Sequence, residues 1–344
     1  MSKAAICVVV PVYKAMATLD RCVESVLAQQ VEGGLTCILV DDGSPDESGA
    51  LCDAWAAKDD RVTVIHQDDL GVSGARNSGL AAADSEFIVF LDSDDALRPG
   101  ALQAALTAQR AAPQDFVVWH YTTDEKDPAA VTADAEPRTQ AGLARLWLDC
   151  LLAMPWNKLY RADLAKQLQF DVQYTLGEDL QFVLDYISLL GQTVPEFGYR
   201  VMTSPLTFYD CSRGGTLSTR YHANYCDIWP KHFAKLNTAC HAAACPAEDM
   251  RPLHRAELQV FAEGVADIMR RDPSPTQRLK GYKAEAALRS PWLRALLERM
   301  KIEHCYSAYY LPCRWRNVGL VCRVDEARRA NAPLYGKLDW AGYY

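Results

Sequence analysis

No apolar run in the sequence approaches the ~20 residues of a membrane-spanning helix, and the opening MSKAAICVVVPVY has no signal-peptide cleavage pattern. Both absences lead us to expect a cytoplasmic chain. None of its twelve cysteines forms a C-x-x-C pair. Cys7, Cys22, Cys37 and Cys52 fall inside apparent strands and helices, so reduced, buried thiols fit better than a disulfide framework. Cys240, His241 and Cys245 could bind zinc, but no second ligand pair stands nearby. After the first strand there is no G-x-G-x-x-G, VPVYKAMATL standing there instead, and a P-loop is also missing. Those two routes to a nucleotide are therefore closed. Positive charge is scarce outside the tail: from Arg270 to Arg329 fourteen Lys and Arg face six Asp and Glu, a balance of +8. That leaves −16 for the rest of a chain whose net charge is −8. So acidic a front half argues against nucleic acid as the main ligand.

With 344 residues and 49% hydrophobic composition, the chain suits a core domain of ordinary size plus an appendage. The stretch with most to say is Phe87–Asp95, FIVFLDSDD. Four apolar residues, Ile88 to Leu91, read as a strand covered on both faces, and it ends in Asp92, Ser93, Asp94 and Asp95. Ligands of open α/β sheets bind beyond the carboxyl ends of such strands. Carboxylates this close raise one another's pKa unless a hard divalent cation, Mg²⁺ or Mn²⁺, neutralises them. The competing reading is a solvated Asp/Ser turn.

Strands alternate with helices on both sides of this cluster. Ile6–Val12, Leu35–Val40, Val62–His66 and Phe116–His120 read as strands, and Ala17–Gln30, Asp46–Ala57 and Pro99–Arg110 as helices. Ser73 is expected to cap a further helix in GVSGARNSGL. The order predicts a right-handed, largely parallel α/β sheet. Along its edge, Asp41 or Asp42 can accept from a base or ribose, and Arg76 can pair with a carboxylate or a diphosphate.

Taken together, VPVYKAMATLDRCVESVLAQ, LVDDGSPDESG, GVSGARNSGL, FIVFLDSDDALRPGAL, WNKLYRADL and GEDLQF resemble the family 2 glycosyltransferases of the GT-A fold, over about residues 4 to 220. The resemblance implies an inverting enzyme that moves a hexose from a UDP-sugar to a hydroxyl of a glycan or lipid-linked glycan, in bacterial polysaccharide assembly. By position it places Pro11, Val12, Tyr13, Asp42, Ser93 and Asn77 near the nucleotide. It sets Asp41 against the uracil and Arg76 beside Asn77, and it makes Asp92 and Asp94 the metal-binding Asp-x-Asp, with Asp95 at the metal shell or the sugar. A base is needed on the acceptor face, and Asp179 is the candidate, with Glu178 in support. Acidic residues opening the helix LQFVLDYISLL also suit its dipole, so simple capping is the alternative. Trp156 could offer an apolar plate to a sugar and Lys158 a charge near the acceptor or diphosphate; otherwise both are packing and surface residues. Arg213, in YDCSRGGTLS, is similar to the family's late diphosphate-binding arginine, with Thr216 and Ser218 beyond it. Two other readings stay open: a non-catalytic nucleotide- or carbohydrate-binding module, and a nucleotidyltransferase.

Residues 124–137 lack periodicity and carry two prolines, which predicts an exposed loop. A catalytic domain is expected over residues 1–220 and a helical region over 221–344. In the latter, Trp292, Leu293, Leu296, Leu297 and Met300 form one apolar stripe, and a basic, aromatic stretch follows. That region could touch an anionic membrane face, pack on the catalytic domain or support a homodimer.

Overall fold

The computed structural model describes residues 3–174, 176–211 and 221–331. It divides into two compact units, Met1–Gly142 with Leu151–Ser212, and Leu143–Cys150 with Arg213–Tyr344.

The first unit opens on β1 (Ala4–Val12), buried at every position but its first. A strand of continuous apolar residues has no face left for water and must be covered on both sides. It is followed by α1 (Leu19–Leu27), β2 (Leu35–Asp42), α2 (Ser48–Lys58), β3 (Val62–Gln67), α3 (Gly71–Ala82) and β4 (Ser85–Phe90). The four strands run parallel in the order β3-β2-β1-β4. Register matters more here than length: Val12 lies opposite Asp41, and Val9 opposite Phe90. Tyr13, Asp41 and the acidic run after Leu91 therefore emerge along one edge of the sheet.

Alternating residues of β1 enter the core: Ile6, Val8, Val10 and Val12 are fully buried and pack with Leu19, Val23 and Val26 of α1. Each such side chain contributes roughly 1.5–3 kcal/mol relative to exposure. On the sheet's other face, α3 approaches so closely that a Cβ at Gly79 would lie 2.3 Å from Val9 Cγ1. Gly79→Ala would push α3, and Arg76 with it, off the sheet. Ser73, expected as a cap, lies inside α3, whose N-cap is Leu70.

Beyond β4 the sheet becomes mixed. The chain continues through β5 (Ala96–Leu97), α4 (Ala101–Ala111), β6 (Phe116–Thr122) and β7 (Ala135–Thr139). After α5 (Leu143–Leu148), which belongs to the second unit, come β8 (Lys158–Arg161), α6 (Ala162–Ala165), α7 (Glu178–Thr193) and β9 (Gly198–Phe208). Strand β8 runs antiparallel to β4 and β6, while β9 is parallel to β6 and antiparallel to β5 and β7. β7 corrects the expectation of a loop through residue 137. Its backbone finds a partner in β9, and Pro137 is tolerated because β7 pairs on one side only.

The second unit is helical: α8 (Tyr225–Ala242), α9 (Ala247–Arg271), α10 (Gln277–Ala287), α11 (Pro291–Ile302), α12 (Tyr310–Arg314) and α13 (Val318–Asn331) accompany α5. Its core joins Leu258, Phe261 and Val265 of α9 to Leu293, Leu296, Leu297 and Met300 of α11. Ser290 caps α11 by accepting from the Leu293 N–H, and Pro291 opens it. Among the described residues no helix is long and apolar enough to cross a membrane. None of the twelve cysteines is in a disulfide, and only Cys211 is exposed.

Candidate active site

At the end of β2, Asp41 is buried and its Oδ1 accepts from the Ser44 N–H at 3.1 Å. Its Oδ2 lies 3.0 Å from His66 Nδ1 of β3, and His66 Nε2 is 3.0 Å from Asp53. Burial opposes ionisation of Asp41, but Ser44 and His66 outweigh it and hold the carboxyl below its ordinary value. Asp42 is spent internally, accepting from Gln67 Nε2 at 2.7 Å and the Leu70 N–H at 3.0 Å. At the end of β1, Pro11 and Val12 are buried while Tyr13 is 44% exposed. Lys14 follows in the left-handed region (φ 52°), a conformation that costs a non-glycine residue energy. Ser44 and Ser48 hold this bend by accepting from the N–H groups of Lys14 and Ala15.

The acidic run turns sharply between β4 and β5, the Asp95 N–H donating to the Asp92 carbonyl. Asp92, Ser93 and Asp94 are half-buried and Asp95 is fully buried. Asp95 Oδ1 accepts from the Asp210 N–H at 2.9 Å, while its Oδ2 has no hydrogen-bond partner among the described residues. Burial, with Asp92 and Asp94 adding to it, pushes the Asp95 carboxyl well above its ordinary value. From α1, Arg21 Nη2 donates to the Asp94 carbonyl at 2.5 Å and to Asp210 Oδ2 at 2.7 Å, clamping the loop from behind. An all-oxygen donor set with a buried carboxylate oxygen unpartnered fits a hard divalent cation. Among the described residues, the one group of three whose ligand atoms all lie within 4.8 Å of one another is elsewhere: His254, Glu303 and Cys305. There Arg299 Nη1 lies 3.3 Å from His254 Nε2 and fixes that nitrogen as acceptor, so Nδ1 carries the proton and donates to Glu303. That arrangement is a satisfied buried network rather than an ion cage.

Arg76 joins the acidic run to α7. Only 3% exposed, it donates from Nη1 to Asp179 at 2.5 Å and from Nη2 to Asp92 at 2.8 Å. Helix α7 is preceded by Gly177, its N-cap, whose φ of 77° lets the chain turn inward and deliver Asp179 to Arg76. The Asp179 side chain keeps 30% of its surface open. Desolvation on its enclosed side dominates, Arg76 opposes it, and the charges of Glu178 and Asp92 add to it, so the carboxyl is pushed up to about 7. A base with that pKa takes and gives protons near neutrality.

Three further expected ligand contacts, besides Asp42, are occupied within the protein. Lys158 is fully buried, its Nζ donating to the Leu151 carbonyl at 2.6 Å and to the Met154 carbonyl and Asn157 Oδ1 at 2.5 Å. Burial pushes the ammonium's pKa down, the charge of Asp179 opposing it, and with three acceptors in reach all three N–H donors of the ammonium are used, leaving none for a diphosphate. Trp156 is 3% exposed and stacked on Tyr209, with ring centres 5.4 Å apart, so that face is closed to a sugar. The Asn77 amide grips the Phe170 backbone, donating to its carbonyl and accepting from its N–H at 2.8 Å. Phe170 in turn stacks on Phe182 at 4.0 Å and lies 5.4 Å beneath the Arg76 guanidinium. Arg213, Thr216 and Ser218 lie outside the described residues.

Arg21, His66, Phe170 and Asp210 were not singled out from the sequence. The only signal for Arg21 was its place in the first motif, at helical spacing from the apolar residues of α1.

Residues 7–169 match the profile described as glycosyl transferase family 2. These residues are a family 2 glycosyl transferase domain. The domain's acidic run, Arg76 and Asn77 lie within the matched span, while Asp179 lies beyond it. The glycosyltransferase GlyG of Streptococcus pneumoniae is 39% identical over 124 residues, covering 36% of this chain and 41% of that protein. The succinoglycan biosynthesis protein ExoO of Rhizobium meliloti is 31% identical over 211 residues, covering 56% and 58%. The chain thus spans about half the length of these curated relatives. The S. aureus TarS 1-349 structure in complex with UDP-GlcNAc matches with a TM-score of 0.64 at 17% identity, covering 96% of this chain and 93% of that one. At that identity the likeness establishes the GT-A fold alone.

Proposed function

We propose that the chain is an inverting glycosyltransferase that moves a hexose from a UDP-sugar to a hydroxyl of a glycan or lipid-linked glycan in bacterial polysaccharide assembly. The observation that carries this reading is the single buried guanidinium of Arg76 shared between Asp92, in the acidic run, and Asp179. It sets the group suited to proton removal beside the group suited to the diphosphate. Asp92 and Asp94 would hold Mn²⁺ or Mg²⁺, with Asp95 behind them. When bound, the ion supplies positive charge against the diphosphate. The UDP-GlcNAc complex of the TarS neighbour supports a UDP-sugar donor, and the half-exposed ring of Tyr13 beside Asp41 suits a stacked uracil.

In the proposed reaction the acceptor oxygen attacks the anomeric carbon as its proton passes to a carboxylate oxygen of Asp179. The bond from that carbon to the UDP oxygen breaks, its electron pair leaving with the diphosphate. Glu178 holds the acceptor. Asp41 orients the uracil, with His66 fixing its carboxylate. Asn77 acts indirectly, by seating Phe170 under Arg76. Residues 1–220 carry this chemistry, and residues 221–344 serve acceptor, membrane or subunit contacts.

The test is UDP release from a panel of nucleotide sugars with Mn²⁺ and a glycan acceptor, for the wild type and Asp179→Asn. Acceptor-dependent UDP release by the wild type alone supports the proposal. A binding module releases no UDP, and a nucleotidyltransferase releases pyrophosphate instead.

A further inference from the structure

The second unit contains a cavity of about 270 Å³ that the catalytic reading does not use. Buried Leu293 and Leu297 line it, and its exposed lining carries Arg289, Arg294, Arg314 and Arg316 with one carboxylate, Glu298. The opposing charge is small. Arg314 lies 3.4 Å from Glu298 and Arg289 3.5 Å from Glu285, both pairs exposed. Among the described residues, Arg294 and Arg316 have no ion-pair partner. Two of the four guanidinium groups are thus unbalanced by a carboxylate, and guanidinium geometry matches phosphate oxygens.

The rim continues into apolar surface. Leu311 is 48% exposed and Trp315 62% exposed. They lie one turn apart, joined by the Trp315 N–H to Leu311 carbonyl bond of 2.9 Å, so they share a face. Arg314 and Arg316 flank that tryptophan in sequence. Exposed Trp and Leu beside arginines suit the boundary between lipid headgroups and acyl chains, whereas a soluble phosphate would gain nothing from them. The chain as a whole carries −8 and is repelled by an anionic surface, so any attraction has to be local to this +8 region. Arg299 is no part of the patch, since its guanidinium is engaged with His254 inside the unit.

We propose that this arginine-rimmed cavity binds the phosphodiester headgroup of an anionic phospholipid, with Leu311 and Trp315 entering the membrane interface. The site places the chain on a membrane surface independently of the chemistry its first unit performs.

Cosedimentation of the full chain with vesicles of equal parts phosphatidylcholine and phosphatidylglycerol, and with pure phosphatidylcholine, tests this. Binding to the mixed vesicles only is expected, weakening as salt rises. Arg294→Glu with Arg316→Glu should weaken it by about a hundredfold or more, at an unchanged melting temperature. If that variant unfolds, Arg294→Gln with Arg316→Gln should still give a loss of about thirtyfold. Equal binding to both vesicles, no binding to either, or full binding by the folded glutamine variant overturns the proposal. So does an arginine-dependent rise in melting temperature with inorganic phosphate when the mixed vesicles bind nothing, which would mark a soluble-anion site.

Discussion

Arg76 lies 2.5 Å from Asp179 although 103 residues separate them in the chain. The contact unites helix α3 with the start of α7, and through the second guanidinium nitrogen it reaches Asp92 as well. Three charged groups thereby share one network, and a change at any of them is felt by the other two.

Asp179→Asn keeps the shape and removes the basicity. Turnover should fall by about 10²- to 10⁴-fold, while UDP-sugar binding with Mn²⁺, measured by calorimetry, stays near wild type. Glu178→Gln should cost less, chiefly in acceptor KM. Near-normal turnover in Asp179→Asn would move the base elsewhere.

The rate should depend on pH in one direction. A base must be ionised, and the Asp179 carboxyl is raised to about 7, so kcat/KM should climb through about pH 7 and level off above it. Because the folded state holds this proton more tightly than the unfolded chain, the group's contribution to stability is full below its ordinary value of 3.8. It is lost as the pH rises through about 7. A rate profile flat from acid to alkali would contradict the assignment.

Arg76→Gln removes the positive charge that opposes desolvation of Asp179. The acidic limb of the kcat/KM profile should then move to higher pH. Arg76→Lys should leave it closer to wild type, since the charge survives although the fork does not. A limb that stays in place in Arg76→Gln would show that the ion pair does not tune the base.

Lys158→Met should unfold in less urea without altering donor KM. Losing the ammonium strands three buried acceptors, and each unsatisfied group costs about 1–3 kcal/mol. A raised KM at unchanged stability would instead return Lys158 to the ligand.

Asp94→Ala should abolish the Mn²⁺-dependent part of the rise in melting temperature on adding UDP. The wild type should show little rise in chelator, because carboxylates repel the diphosphate. An equal rise in chelator and in Mn²⁺ would remove the metal from the proposal.

Much of the first unit could be read from residues alone, because buried parallel strands such as Ile6–Val12 and Leu35–Val40 are nearly continuous in apolar character. The acidic run was equally visible, since nothing in a core explains carboxylates directly after FIVFL. What local pattern could not convey was pairing between distant segments. Lys158 and Trp156 look like exposed ligands until the carbonyls of Leu151 and Met154 and the ring of Tyr209 are seen to enclose them. Strand β7 is polar and carries a proline, and it exists because β9 offers an unpaired edge. Asn77 sits in a recognisable motif, yet its partner is the backbone of Phe170, a group with no sequence signature.

Cys211, exposed among otherwise buried or half-buried thiols, follows directly on Asp210, which Arg21 and Asp95 tie to the acidic loop. The native chain therefore has a labelling handle for spectroscopy at the site's edge. Burial and the charges of Asp95 and Asp210 raise its thiol pKa, so a maleimide dye should attach faster at mildly alkaline pH. The dye's emission would follow nucleotide arrival in real time without an engineered cysteine.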